Sequence, residues 1–351
     1  MPTPPLLQTL LTTPGPSGYE GAAAAAWREA ASAFAEVSAD NLGSSVARVR
    51  GTNDGPLLAI VGHIDEIGVH ISHVDDEGFL RFGSVGGWDP IILVGQRVTV
   101  LTRKGPIPGV IGKKPIHLMK DEDRKRVPEL KDLHIDIGAK DGDDARAMVR
   151  IGDVAVIAGE PVELPNGRVA ARAMDNRIGC YVALEAARLV AEAGGAAGDV
   201  AAVAAVQEEI TFAGSRTTAF SLAPDVAVAV DVTFATDQPG VELGELTKHP
   251  LGSGPSLTRG STIHPRVFEL LHEAAEAEGI PFTVAAAGRS TGTDADAIYL
   301  SRAGIPTALV SVPLRYMHSP VEVCQLDDVE NAAKLIAAFA LRLAADTSFV
   351  R

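Results

Sequence analysis

The chain has 351 residues, 46% hydrophobic but only 5% aromatic, so it can bury a large core built mainly from Ala, Val, Leu and Ile. Its 45 Asp and Glu exceed its 31 Lys and Arg, and the formal net charge of −14 argues against nucleic acid or an anionic membrane as a partner. Two cysteines, Cys180 and Cys324, exclude a disulfide framework and a cysteine-rich zinc site, and we expect a cytoplasmic protein that buries both.

The N-terminal part of the chain predicts helices followed by strands. Residues 3–12 and the Ala-rich residues 21–37 favour helices, and residues 44–50 favour a strand. Residues 56–62 form an apolar run bounded by turn residues, which is typical of a strand buried on both faces, and His63 follows directly. No apolar run reaches the length of a membrane-spanning helix, and the first residues do not form a signal-peptide pattern.

Residues 67–165 have a different pattern. Short Val- and Ile-rich runs are broken by Gly and Pro, with one helical stretch at 143–150, which predicts a small inserted β-barrel-like domain. The charged residues 120–126 are predicted to be a mobile solvated loop, with a role in binding a protease or partner as the alternative. The predicted strands are 69–73, 97–101, 110–112 and 154–158.

After residue 166, strand and helix patterns alternate. This alternation predicts an α/β domain with a mainly parallel sheet sandwiched by helices. We therefore expect a catalytic domain from residues 1–66 and 166–351, with residues 67–165 as the insert. The predicted helices are 174–193, 265–278 and 326–344, and the predicted strands are 200–207, 226–232, 282–286 and 306–312.

Polar side chains follow several of these strands. His63 comes directly after the strand at 56–62, in the place where open α/β sheets bind ligands, and Asp65 can orient its imidazole as a metal-bound histidine requires. The alternative is a polar loop residue beside a surface acid. Asp175 opens the helix at 174–193, either as a simple N-cap or as a carboxylate whose two oxygens bridge two cations.

Glu208 and Glu209 follow the strand at 200–207. Adjacent side chains point in different directions, so one can bind a metal while the other faces the substrate as a base, and a solvated strand end is the alternative. Asp231 is predicted to end the strand at 226–230, and His318 follows the strand at 306–312, where an ordinary loop histidine is the alternative.

These residues together suit a site for two divalent cations. Imidazole and carboxylate ligands fit zinc or cobalt, with manganese as a further candidate, and five ligands with one bridging carboxylate suit two ions about 3.5–4 Å apart. Gly292, Thr293 and Asp294 are predicted to form a substrate-binding loop, or a plain turn before a helix. The other seven histidines are predicted to be structural: His70, His73, His117, His134, His249, His264 and His272.

Ten short segments resemble those of the TET-type aminopeptidases, which include glutamyl and deblocking aminopeptidases. They are SGYE (17–20), GHIDEIG (62–68), GVIG (109–112), KPIHL (114–118), LHIDIG (133–138), RAMDNRIG (172–179), VQEE (206–209), VDVT (230–233), GTDA (292–295) and HSP (318–320). The resemblance therefore covers nearly the whole chain. One departure is residues 210–214, ITFAG, where relatives often carry a stretch rich in Val and Gly.

The resemblance implies roles for the candidate residues. His63 and Asp231 would bind one metal, Glu209 and His318 the second, and Asp175 both. In addition, Glu208 would be the general base and Asp65 would orient His63. The insert would be a dimerisation domain, and the chain would form a homo-oligomer, possibly a dodecamer built from dimers.

The function implied is metal-dependent removal of the N-terminal residue from short peptides. Three alternatives are open. A glycosidase that uses Glu208 and Glu209 would need two facing carboxylates about 5–10 Å apart, which adjacent diverging side chains fit badly. An N-acyl amino acid deacylase would use the same metal chemistry. A non-catalytic metal-binding shell protein would not need Glu208.

Overall fold

A computed structural model describes residues 2–242, 244 and 247–350. It contains one large mixed sheet flanked by helices and a separate closed barrel, which confirms the predicted fold class. The strands are β1 Glu36–Ala39, β2 Ser45–Val49, β3 Leu58–His63, β4 Gly68–Val74, β5 Leu80–Val85, β6 Arg97–Thr102, β7 Gly105–Lys113, β8 Leu133–Asp136, β9 Val154–Ile157, β10 Val162–Leu164, β11 Arg168–Ala171, β12 Val200–Ala205, β13 Val226–Phe234, β14 Ser256–Gly260, β15 Thr283–Ala287, β16 Thr307–Arg315 and β17 Glu322–Gln325.

The helices lie mostly outside the insert. They are α1 Pro5–Thr12, α2 Gly21–Ala31, α3 Pro90–Leu93, α4 Asp121–Arg124, α5 Gly142–Met148, α6 Met174–Glu192, α7 Glu208–Thr211, α8 Ala213–Leu222, α9 Pro265–Glu278, α10 Ala295–Ile298 and α11 Leu326–Arg342. None of the helices in the described part of the chain is both long and apolar enough to cross a membrane.

The large sheet has the order β1-β2-β12-β3-β13-β16-β17-β11-β10, with β14 and β15 attached beside β16. Its central strands β12, β3, β13 and β16 run parallel, and the strands outside them on this path pair antiparallel. Every residue of β3 and β12 is buried, because both faces of the parallel centre are covered. The carboxyl ends of these parallel strands therefore meet at one edge of the sheet, where polar side chains collect.

Helix α6 approaches strand β3 very closely where each has a glycine. A Cβ atom added at Gly62 would overlap the backbone of Gly179, and one added at Gly179 would overlap the side chain of Asn176. Asn176 in turn donates a hydrogen bond to the carbonyl of Val230 in β13 at 2.8 Å. These contacts hold the first turn of α6, which carries Asp175, against the ends of β3 and β13.

The insert forms a closed antiparallel barrel in the order β4-β5-β8-β7-β6-β9. Its own apolar core includes Ile71, Leu80, Val100 and Ile135, each fully buried. This core is separate from the main one, which lies between the large sheet and its helices. The barrel therefore packs around its own core and is not an extension of the sheet.

Several predicted boundaries are wrong. The helix predicted at 21–37 ends at Ala31, because Glu36–Ala39 pairs with β2 as an edge strand instead. Strand β13 continues to Phe234, so Asp231 lies inside the strand and not at its end. The predicted loop at 120–126 contains the exposed helical turn α4, and α8, β14 and β17 were not predicted.

Candidate metal centre

His63 is the last residue of β3, and its imidazole is 1% exposed. Its Nδ1 atom lies 3.3 Å from a carboxylate oxygen of Asp65, which is fully buried. This contact directs the Nε2 atom away from the chain and toward other carboxylates. The Nε2 atom lies 3.2 Å from Asp175 and 3.6 Å from Glu208.

Asp175 lies between the two predicted histidine ligands. One of its carboxylate oxygens is 3.2 Å from Nε2 of His63, and the other is 3.4 Å from Nε2 of His318. Burial would raise the pKa of Asp175, but contacts with both imidazoles hold it well below its usual range. The two oxygens of this carboxylate therefore face two different imidazoles, as a bridging ligand requires.

Asp65 also holds the glutamate pair in place. Its two oxygens accept hydrogen bonds from the backbone N–H of Glu208 at 3.0 Å and of Glu209 at 3.1 Å. The hydroxyl of Ser17 donates a third hydrogen bond at 2.5 Å. One buried carboxylate thus fixes both His63 and the first turn of α7, which begins at Glu208 rather than closing the preceding strand.

His318 lies in the turn between β16 and β17. Its Nε2 atom is 3.4 Å from Glu209 as well as 3.4 Å from Asp175, and its Nδ1 atom is 2.9 Å from the carbonyl oxygen of Gly87. That carbonyl can only accept a hydrogen bond, so it selects the tautomer whose Nε2 lone pair is free for a cation. Asp231, 5% exposed, completes the set from β13.

The turns that carry these groups are backbone-strained. Ala173, Gln207 and His318 all have left-handed φ values, of 58° in each case. Non-glycine residues adopt this region rarely, and they do so mainly where surrounding structure enforces it. Ala173 and Gln207 each lie two residues before a candidate ligand, and His318 is itself a candidate ligand, so strained backbone supports this site.

Burial and mutual repulsion raise the pKa values of two carboxyl groups at this site. Burial raises the pKa of Glu208 to about 10, with Asp231 and Asp294 adding to the shift and His63 opposing it. Burial and the charge of Asp175 also raise the pKa of Asp231 well above its usual range. A cation beside these groups would stabilise their ionised forms.

The side chains fit a divalent metal by both chemistry and position. His63, Asp175 and Glu209 offer ligand atoms within 4.8 Å of one another, and so do His63, Glu208 and Asp231. His and carboxylate ligands without cysteine suit zinc, cobalt or manganese at a catalytic site. The two groups share His63.

A cavity of about 520 Å³ opens over this cluster, and Gly292 and Thr293 line it. Asp294, the third predicted substrate-binding residue, does not line the cavity and is only 2% exposed. Burial raises the pKa of Asp294 to about 6, with His63 and the Ser215 hydroxyl opposing the shift. Asp294 therefore lies behind the site rather than on its surface.

Comparison with known proteins identifies the family of the chain. The family described as M42 glutamyl aminopeptidase matches residues 43–335. The chain belongs to this M42 aminopeptidase family. It is therefore a peptidase that acts at N-termini, and M42 peptidases are metal-dependent. The alternatives of a glycosidase and of a non-catalytic shell protein are wrong.

Individual relatives resemble this M42 aminopeptidase in sequence and structure over nearly its full length. The lysyl aminopeptidase of Pyrococcus furiosus is 36% identical over 337 residues, which is 95% of each chain. The TET aminopeptidase of Thaumarchaeota archaeon SCGC AB-539-E09 superposes with a TM-score of 0.91 at 36% identity, over 96% of this chain and 95% of that one. The TET1 peptidase of Pyrococcus horikoshii superposes with a TM-score of 0.85 at 33% identity, over 96% of this chain and 99% of that one.

The sequence did not reveal two acids that are buried around the candidate metal centre, Glu322 and Glu66. Glu322, 2% exposed, accepts hydrogen bonds from the backbone N–H of Met174 at 2.8 Å and of His318 at 2.9 Å. Glu66 lies in a buried ion cluster with Arg172 and Arg177. The local sequence does not indicate a role for these acids, because each one binds partners more than 100 residues away or a backbone N–H.

Proposed function

We propose that this M42 aminopeptidase removes the N-terminal residue of short peptides with two divalent cations and Glu208 as the general base. His63 and Asp231 would bind one cation, Glu209 and His318 the other, and Asp175 both. The position of Asp175 between the imidazoles of His63 and His318 is the observation that carries this assignment.

The proposed mechanism divides the chemistry between the ions and the protein. When bound, the cations supply Lewis acidity that makes water a nucleophile near neutral pH. Glu208 accepts the proton of the attacking water and returns it to the leaving amine. Asp65 holds His63 through its side chain and Glu208 through its backbone, so it fixes the base relative to the ligands.

The negative charge of the cavity lining supports a peptide substrate whose N-terminal amine is free. Glu208, Glu209, Asp175 and Asp231 all line it. A free α-ammonium group is attracted to such carboxylates, whereas an acylated nitrogen has no charge. Comparing aminoacyl amides with their N-acetylated forms tests this point, and preferential cleavage of the acetylated forms would establish the deacylase alternative instead.

The substitution Glu208→Gln tests the base. Gln keeps the size of the side chain but cannot accept the proton, so we expect kcat to fall about 10²–10⁴-fold. Bound metal, measured by atomic emission, should stay unchanged because Glu208 is not a proposed ligand. Glu192→Gln, at an exposed position on α6, is the control. Near-normal turnover by Glu208→Gln would overturn the base assignment.

Metal identity and number are tested on chelated protein. Zinc, cobalt and manganese are each returned while hydrolysis of aminoacyl amides and bound metal are measured. We expect two ions per chain at full activity, with zinc or cobalt the most effective. Full activity with one ion per chain would contradict the assignment of Asp175 as a bridging ligand.

We also propose that the chain forms a homo-oligomer through the insert, residues 67–165. Apolar side chains on this segment are exposed, including Ile116 at 59%, Leu118 at 68% and Val127 at 59%. Exposed apolar patches commonly mark protein interfaces. The Pyrococcus horikoshii TET1 peptidase is described as assembling into a tetrahedron or a large octahedral shell. Native mass spectrometry of the protein should show a large assembly. The double substitution Ile116→Glu/Leu118→Glu should weaken that assembly, and an unchanged mass in the variant would contradict this interface.

A further inference from the structure

The residues that line the active-site cavity form two sets with different chemistry. One set consists of the candidate ligands and Glu208. Within the part of the chain that the structure describes, every other lining residue is uncharged. The apolar members of this second set are Ile210, Phe212, Val232, Phe234 and Met317, and threonines and one glycine complete it. The wall beside the reacting groups is therefore apolar and hydroxyl-lined.

Two of these apolar side chains are exposed to solvent. Phe234 is 51% exposed at the end of β13, and Ile210 is 47% exposed in α7. Apolar side chains that line a concave site and remain open to solvent gain free energy when a ligand covers them. The side chain of a bound N-terminal residue is a group of suitable size in such a cavity.

Among the described residues of this wall, none carries a charge that could pair with a charged N-terminal side chain. Arg289 is close in sequence to the lining residue Thr291, but it is exposed and does not line the cavity. Burying an ionised group without a partner costs more than leaving it in water. The wall thus disfavours both acidic and basic side chains, while an apolar side chain buries the exposed surface of Phe234 and Ile210.

Resting on the proposed aminopeptidase function, we infer that this chain prefers peptides whose N-terminal residue is uncharged and apolar, such as Leu or Met. This preference differs from the glutamyl description of the family and from the lysyl activity named for the Pyrococcus furiosus relative. Ile210 and Phe212 follow Glu208 and Glu209 closely in the chain, and all four line the cavity. The apolar wall therefore begins beside the proposed base.

The first experiment compares kcat/KM for Leu, Met, Glu and Lys amides with the metal-loaded protein. We expect the Leu and Met substrates to exceed both charged ones by at least about tenfold. Equal or better cleavage of Glu or Lys would overturn the preference and leave the aminopeptidase function intact. Cleavage of none of the four would instead overturn the proposed function, and the preference with it.

The second experiment places a charge on the wall. Phe234→Lys should raise the Glu-to-Leu ratio of kcat/KM by at least about tenfold, and Phe234→Glu should raise the Lys-to-Leu ratio similarly. Leu300→Lys, at an apolar position 68% exposed and outside the lining, should leave both ratios unchanged. Calorimetry on metal-loaded Glu208→Gln should show leucine binding more tightly than glutamate or lysine. Unchanged ratios in both Phe234 variants, or tighter binding of a charged amino acid, would overturn the inference.

Discussion

The carboxylate of Glu322 accepts a hydrogen bond from the backbone N–H of His318 at 2.9 Å. Its other oxygen accepts from the backbone N–H of Met174 at 2.8 Å and of Asp175 at 3.3 Å. One buried acid at the start of β17 thus joins two segments that each carry a candidate ligand and lie more than 140 residues apart.

Replacing Glu322 with Gln should weaken metal binding. The amide has one accepting oxygen, so one of the two segments loses its hydrogen bond and faces an NH₂ group instead. Groups that orient ligands typically change affinity about 10–100-fold. Competition with a chromophoric chelator measures this, with circular dichroism to verify the fold. Glu330→Gln, at a partly exposed site paired with Lys334, is the control. Equal affinity in the two variants would show that Glu322 does not position the ligands.

Chelation should lower the thermal unfolding midpoint. Without cations, the carboxylates of Glu208, Glu209, Asp175 and Asp231 lie together beside the imidazoles of His63 and His318. Ligands that bind only the folded state at a concentration 100 times their Kd contribute about 2.7 kcal/mol of stability. Calorimetry with excess zinc and with EDTA measures the difference. The difference should shrink in Asp231→Asn, and a midpoint insensitive to EDTA would argue against a preformed metal site.

Removing Glu66 should destabilise the fold strongly. Its carboxylate pairs with Arg172 and with Arg177, which is fully buried, and accepts the backbone N–H of Gly15 at 2.9 Å. Glu66→Ala leaves two buried guanidinium groups without their acid, which typically costs about 3–5 kcal/mol. Urea unfolding measures this loss. Glu36→Ala removes an exposed partner of Arg50 and should change the unfolding midpoint little. Similar midpoints in the two variants would contradict this role for Glu66.

The pH dependence of stability should include a contribution from Asp328. Burial raises its pKa to about 6, opposed by hydrogen bonds from the backbone N–H of Gly252 and Gly254. Because the folded-state pKa is raised, the carboxyl contributes stability below about pH 4, and that contribution is lost as the pH rises through about 6. The full change is on the order of 3 kcal/mol.

Asp328→Asn removes this titration. The unfolding free energy of the wild type, measured from pH 4 to 7 with EDTA, should therefore fall relative to that of the variant as the pH rises. A constant difference between them across that range would show that Asp328 does not titrate as described.

The sequence indicated the centre of the fold because the physical signals there are local. Continuous apolar runs mark strands buried on both faces, and His63 stands directly after one of them. Residues 21–37 show the limit of this approach, because pairing with β2, and not helix propensity, decides the conformation of Glu36–Ala39. Asp231 was assigned to a strand end because the Val-rich run gave no sign that pairing with β16 continues to Phe234.

The candidate ligands could be singled out in the sequence because their residue types are rare at the ends of apolar runs. Glu322 could not, since its three hydrogen bonds come from backbone groups that any sequence supplies. The apolar cavity wall also depends on how α7, β13 and the loop around Thr291 come together. Only the folded chain shows that Ile210 and Phe234 line the same space.

The contact between Nδ1 of His318 and the carbonyl of Gly87 has a practical consequence for shortened versions of this enzyme. Gly87 belongs to the segment that follows β5, within the insert, while His318 belongs to the main body of the chain. Cutting out residues 67–165 and splicing the ends would therefore delete the carbonyl oxygen that contacts His318, a candidate ligand more than 200 positions away. A minimal enzyme would have to retain this stretch of chain, or supply another acceptor, even if it were meant to act as a monomer.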